Sequence, residues 1–213
     1  MLVSDRLGIP FENITVVHGD TDLVRSGEIT GGSRSVQIGG TNVWRAAGVV
    51  ADKARQIAAR LLEASVEDIV LEDGRFHVAG TPSVTRSWTD VIATAIAMGE
   101  RLDGEGDFTQ ASGTFPSGAH LAVVEVDIET GKVKLREMFA VDDAGCIVNT
   151  LLAEGQVHGG LAQGIGQALY EEFIYDADGN PLTGNFADYG FPSAAEVPSF
   201  VTVHMESPSP MND

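Results

Sequence analysis

The 213-residue chain has one cysteine, Cys146, so no disulfide can close within it. One thiol cannot hold an iron–sulfur cluster or a cysteine zinc centre, and its rarity fits a reducing compartment. Basic residues are scarce as well: 13 Lys and Arg stand against 31 Asp and Glu, a formal net charge of -18. Nucleic acids and anionic membrane surfaces need a basic face, so both are excluded as partners. No apolar run approaches the roughly 20 residues that span a bilayer, and the opening Met1-Leu2-Val3-Ser4-Asp5-Arg6 has no signal-peptide pattern. These absences place the chain in the cytoplasm. What is present, 43% hydrophobic and 21% charged residues, is the balance of a globular protein with one large domain or two small ones.

Familiar catalytic signatures are missing too. His18, His77, His120, His158 and His204 are scattered, and no pair has metal-ligand spacing. No Ser–His–Asp set can be assembled, and Cys146 reads as a small buried hydrophobe. Asp142 and Asp143 are adjacent on a strand, so they point to opposite faces and cannot share a proton. Asp20, Asp22 and Glu28 lack the spacing of a calcium loop and read as turn and capping residues. No residue is therefore assigned a catalytic or metal-ligating role.

Periodicity predicts a helix end at Leu2–Leu7, stopped by Gly8 and Pro10, then a short buried strand at Ile14–Val17 and an irregular loop over 18–32. A long helix is expected from Ser35 to Ala64, a hairpin over 69–78, and a helix from Trp88 to Met98 capped by Ser87. Residues 99–117 read as a long loop and the internal boundary. A hairpin around Glu129-Thr130-Gly131, a helix over Gly155–Glu171, a third hairpin at 176–180, an extended loop over 184–198 and a strand at Phe200–Met205 follow. The expected fold is α+β, with long helices on antiparallel or mixed sheets. It divides into a subdomain over 1–110, holding a glycine-rich loop, and another over 111–213, holding a glycine-rich helix.

Those two glycine-rich stretches carry the functional signal. The first, Gly31-Gly32-Ser33-Arg34-Ser35-Val36-Gln37-Ile38-Gly39-Gly40, fits neither the phosphate-loop pattern nor the dinucleotide fingerprint. It reads as a flexible lead-in to a helix or as an anion site, and Ser33-Arg34-Ser35 favours the anion. The second runs from Glu154 to Gln167. Its Gly160, Gly164 and Gly166 suit close helix packing, whereas Gln156, placed at a helix start, suits a polar ligand; Gln163 stays open. Two donor-rich helix starts suggest a large phosphate-bearing ligand held from two sides.

Gly19-Asp20-Thr21-Asp22, the Gly31–Ser35 run, Gly118–Asp127, Val141-Asp142-Asp143-Ala144-Gly145 and Glu154-Gly155-Gln156-Val157-His158-Gly159-Gly160 occur in this order. Thr183–Tyr189 and Pro208-Ser209-Pro210 continue the series. The chain thereby resembles the molybdenum-binding large subunit of the xanthine dehydrogenase/aldehyde oxidase family, which includes carbon monoxide dehydrogenase large subunits. The resemblance implies a molybdenum hydroxylase of aldehydes or N-heterocycles, with molybdopterin, in bacteria often its cytosine dinucleotide. It implies that Gly31, Gly32, Ser33, Arg34 and Ser35 contact the phosphate or nucleotide part, and that Gln156, with Gly160 beside it, meets the pterin. It also implies iron–sulfur and FAD subunits as partners. The family's Gly-Lys-Gly-x-Gly-Glu stretch, whose glutamate is the general base, is not seen after Pro210, and several hundred residues that precede Met1 in the family are not seen either. Arg25-Ser26, Thr150 and Cys146 are further departures. The expectation is a fragment or split subunit, inactive alone, since losing a general base costs about 10²–10⁴ in rate. The alternatives are a folded non-catalytic fragment that self-associates as a homo-oligomer without cofactor, and an unrelated nucleotide-binding module.

Overall fold

Helix α1 (Leu2–Leu7) stops where expected, because Gly8 turns left-handed at φ +63° and donates its N–H to Ser4 O. Any Cβ on Gly8 would collide with the backbone of Gly74, itself at φ +71°. Gly8→Ala is expected to cost at least about 1–2 kcal/mol from the left-handed backbone alone. An unchanged thermal midpoint would remove that contact from the account. The computed structural model describes residues 1–24, 27 and 30–212. Glu28 and the Arg25-Ser26 departure lie outside the described residues.

The chain forms two compact units, Met1–Gly113 with Pro210–Asp213, and Thr114–Ser209. In the first, a π-turn at Ser35–Gly40 leads into α2 (Thr41–Leu62), whose apolar stripe buries Ala47, Ala51, Ala54, Ile57 and Ala58. Strands β1 (Ile69–Glu72), β2 (Arg75–Val78) and β3 (Thr81–Ser87) form an antiparallel sheet in that order. Helix α3 (Trp88–Met98) follows at once, and Ser87 and Asp90 form a reciprocal capping box at its start. The Ser87 N–H and hydroxyl hold the Asp90 carboxyl below its ordinary range. The core gathers Ile57, Ala58, Phe76, Val91 and Ala95, with the fully buried Phe76 edge-on to Trp88 at 5.0 Å.

Two local expectations fail here. Ile14–Val17 forms no strand, and Val16 and Val17 are exposed; strand composition without a pairing partner does not make a strand. β3 went unread because Thr-Pro-Ser-Val-Thr-Arg-Ser lacks apolar alternation. As an outer strand it tolerates Pro82, and its pairing with β2 alone makes it a strand.

In the second unit β4 (Ser117–Val126) and β5 (Val133–Asp143) form the expected hairpin, with a bulge at Val123/Val124. After α4 (Thr150–Leu169) the chain returns as β6 (Phe200–Met205), parallel to β5. Phe200, Thr202 and His204 are the more buried side of β6, and the His158 ring stands edge-on to Phe200. Ala140, Leu161 and Ile165 are the buried apolar residues of this unit. The other sheet face carries Leu121, Phe139 and Val201 in one row and Val141 and Val203 in the next. Leu121, Val201, Val203 and Met205 there are exposed. The third hairpin shrinks to one bridge, Tyr175 to Pro181, around a turn in which Asp176 accepts the N–H groups of Asp178 and Asn180. Within the stretch read as extended, α5 (Phe186–Tyr189) forms because Asn185 Oδ1 accepts from Ala187 and Asp188.

Candidate functional site

The first glycine segment belongs to the first unit. Gly32 at φ +63° and Ser33 at φ +54° are consecutive left-handed residues, and Ser33 has no glycine's freedom to be so. Such strain persists where the surroundings impose it and concentrates at binding sites. Arg34 then precedes the π-turn, with Ile38 N–H bonded to Arg34 O at 2.9 Å. From Ser35 to Leu62 the backbone is continuously helical, so the partial positive charge of its start falls at the residues that follow Arg34. Ser33 and Ser35 are exposed and Gly32 has open space above its Cα. This is an exposed surface carrying hydroxyl and backbone donors.

The second segment belongs to the second unit, and its placement corrects the sequence reading. Helix α4 begins at Thr150, capped by Asn149 Oδ1, which accepts from Leu152 N at 3.1 Å. Gly155 and Gln156 therefore lie in the second turn, and the unpaired N–H groups of the helix start belong to residues before them. Gln156 owes nothing to a helix terminus. What the helix does instead is align Gln156, Gly159, Gly160, Gln163 and Gln167 on one face, at spacings of three and four. All five are exposed.

A Cβ on Gly155, Gly159, Gly160 or Gly164 would meet nothing within 4 Å. Close packing against the described residues thus explains none of these four glycines. It explains Gly166, where a Cβ would press on the Pro192 ring at 3.0 Å and on the Glu171 carboxylate. The helix has no lysine or arginine and one carboxylate, Glu154, whose Oε1 lies 3.6 Å from His158 Nε2. Leu151 and Leu152, 78% and 66% exposed, extend the uncharged face. A flat surface without Cβ atoms, edged by amides that both donate and accept, suits a planar ligand rich in heteroatoms.

The other candidates resolve individually. Asp22 N–H bonds Asp20 Oδ1 at 2.9 Å, a turn role. Asp142 and Asp143 have separate partners: His120 Nε2 lies 3.0 Å from Asp142 Oδ1, while Asp143 Oδ1 accepts from Gly145 and Ser207 N–H groups. The Ser207 hydroxyl and N–H hold the Asp143 carboxyl below its ordinary range, so it is an acceptor and not an acid. Cys146 is exposed, in the loop between β5 and α4, and not the buried hydrophobe expected. Among the described residues no three His, Cys, Asp or Glu side chains are grouped to hold a metal ion. No described helix is long and apolar enough to cross a membrane. Gly159 and Gln167 were missed as members of the α4 face, although their three-and-four spacing from Gln156 was legible.

Comparison with known proteins bears on what this surface meets. The molybdopterin cofactor-binding domain family matches residues 1–198. The chain belongs to this family. It is 41% identical to the nicotine 6-hydroxylase large subunit of Paenarthrobacter nicotinovorans, over 99% of this chain and 27% of that protein. It is 36% identical to the carbon monoxide dehydrogenase large chain of Hydrogenophaga pseudoflava, over 98% of this chain and 27% of that one. The crystal structure of quinoline 2-oxidoreductase from Pseudomonas putida 86 superposes with a TM-score of 0.87 at 36% identity, covering 99% of this chain and 28% of that chain. The chain thus spans about a quarter of the length of the relatives it matches. Its α+β architecture is that of the corresponding part of the carbon monoxide dehydrogenase structure, with a TM-score of 0.87.

Proposed function

We propose that this chain is a portion of a molybdenum hydroxylase large subunit and carries cofactor-binding residues in each of its two units. The observation that carries the reading is the uncharged, glycine-stepped face of α4, with Gln156 and Gln163 at its edge and no described atom covering it. In this reading Gln156 hydrogen-bonds the pterin and Gly160, with Gly159, lets it approach the helix backbone. Gly31, Gly32, Ser33, Arg34 and Ser35 hold the phosphate or nucleotide part, supported by the strained left-handed pair at Gly32 and Ser33. The group would supply two-electron redox chemistry at molybdenum; the residues of this chain bind and orient it. A cytosine dinucleotide form fits a second, phosphate-directed segment.

The reaction class is hydroxylation of an aldehyde or N-heterocycle. Nicotine and quinoline, which name two of the relatives, are N-heterocycles and support that half of the class. We place the chain in the cytoplasm, with the rest of the large subunit and iron–sulfur and FAD subunits as partners, and inactive without them. The test is metal and pterin content of protein purified from a molybdenum-replete host. Arg34→Ala and Gln156→Ala should each lower both by about tenfold, the value of one charge-assisted or ligand-directed hydrogen bond. Unchanged content in either variant would end its assigned role.

A second reading has one observation in its favour, the exposed apolar sheet face of Leu121, Val201, Val203 and Met205. On that reading the chain self-associates without cofactor. Protein free of molybdenum that sediments as a homo-oligomer would favour it.

A further inference from the structure

Residues 102–108, between α3 and β4, were read as an unstructured connection, yet they form an extended strap laid along α2. Burial alternates through it: Leu102, Gly104, Gly106 and Phe108 are half-buried, while Asp103, Glu105 and Asp107 are exposed. Two strap residues advance about 6.6 Å and four helical residues about 6.0 Å, so the inward step from Gly104 to Gly106 matches one helix turn, from Ala46 to Asn42. Running against the helix direction, Asp103 takes Lys53 Nζ at 2.9 Å, and Gly104 lies against Ala46 O. Gly106 lies against Asn42 O. A Cβ at either glycine would collide with those carbonyls. The strap then closes on Asn42 by a reciprocal pair: Phe108 N–H donates to Asn42 Oδ1 at 2.8 Å, and Asn42 Nδ2 donates to Phe108 O at 3.1 Å. The Arg45 guanidinium covers the Phe108 ring at 4.7 Å from its centroid.

Asn42 also reaches the other way. Its Nδ2 donates to Ile38 O at 3.0 Å, inside the π-turn. Ile38 O already accepts the Thr41 N–H at the end of the turn, and a carbonyl oxygen has room for a second donor. The Asn42 side chain supplies one.

We propose that Asn42 is a positioning residue that couples the strap to the π-turn, and so fixes the backbone that presents Ser33, Arg34 and Ser35 to the cofactor. This rests on the reading of that segment as a cofactor-phosphate wall. It makes a strap residue more than 60 positions away in sequence part of the binding machinery.

The test compares Asn42→Ala, Gly106→Ala and Arg34→Ala in the full protein from a molybdenum-replete host. Molybdenum and pterin per chain are measured beside amide hydrogen exchange over residues 35–42. Alanine is the better helix former, so a loss in Asn42→Ala cannot come from a weaker helix. Asn42→Ala and Gly106→Ala should both speed exchange over 35–42 by roughly fivefold to thirtyfold, while the β2 and α3 amides keep their protection. Both should lower cofactor content with Arg34→Ala. If Arg34→Ala loses cofactor while the other two keep it, the coupling is overturned and the phosphate reading stands. If Arg34→Ala keeps its cofactor, the phosphate reading falls. Exchange then decides the clamp by itself: acceleration in Gly106→Ala retains it as a structural coupling, and no change removes it.

Discussion

Gly160→Leu should strip the protein of molybdenum and pterin while leaving α4 slightly more stable. The two effects have opposite signs because one is a gain in helix propensity and the other is steric exclusion of the ligand by the same side chain. Glycine inside a helix costs about 1 kcal/mol relative to a good helix former, and leucine recovers most of that. Nothing within 4 Å of the Gly160 Cβ position opposes the new side chain. The same open space is what the proposed ligand would fill, and a leucine there holds a planar group away from the backbone by several ångströms. Retention should fall by at least about a hundredfold, as when contacts worth roughly 2.8 kcal/mol are lost. A drop in thermal midpoint would return Gly160 to a packing role. Full cofactor content with a raised midpoint would remove α4 from the pterin site. Gly166→Leu is the contrast, since Pro192 and Glu171 crowd that position.

Phe76→Ala carries the largest expected loss of stability. Phe76 is fully buried, joins α2, β2 and α3 in one cluster, and stands edge-on to Trp88 at 5.0 Å. Emptying such a site costs about 3–5 kcal/mol in transfer and cavity terms. A domain of this size holds about 5–15 kcal/mol in all, so the first unit should become marginal. Denaturant unfolding followed at Trp88 should show a midpoint shifted to lower concentration with its slope retained. A loss under about 1 kcal/mol would mean that the cluster collapses to fill the space. Because the cluster is far in sequence from Gly31–Ser35, any cofactor loss in this variant should follow its folded fraction.

Much of the fold was readable where the signal is local. Gly8 stops α1, Ser87 caps α3, and Glu129-Thr130-Gly131 turns the β4–β5 hairpin, each through bonds between residues close in the chain. Readings failed where a partner decides. Ile14–Val17 has strand composition but pairs with no described strand, whereas Thr81–Ser87 has poor strand composition and a neighbour in β2. The start of α4 was misplaced for a related reason. Gly155 and Gly159 look like a break, but Asn149 caps the helix five residues earlier and the glycines lie within it.

The candidate site divides in the same way. Composition excluded a disulfide within the chain, and the ordered motifs from Gly19 to Pro210 named the family and its cofactor class. Those properties reside in residue identity and order, which need no folding to be read. Only the tertiary structure decided that the face shared by Gln156, Gly159, Gly160 and Gln163 is open, because that depends on no described atom covering it. Only the tertiary structure laid residues 102–108 along α2, because the match between a two-residue strand step and a four-residue helix turn exists only once both are formed and adjacent.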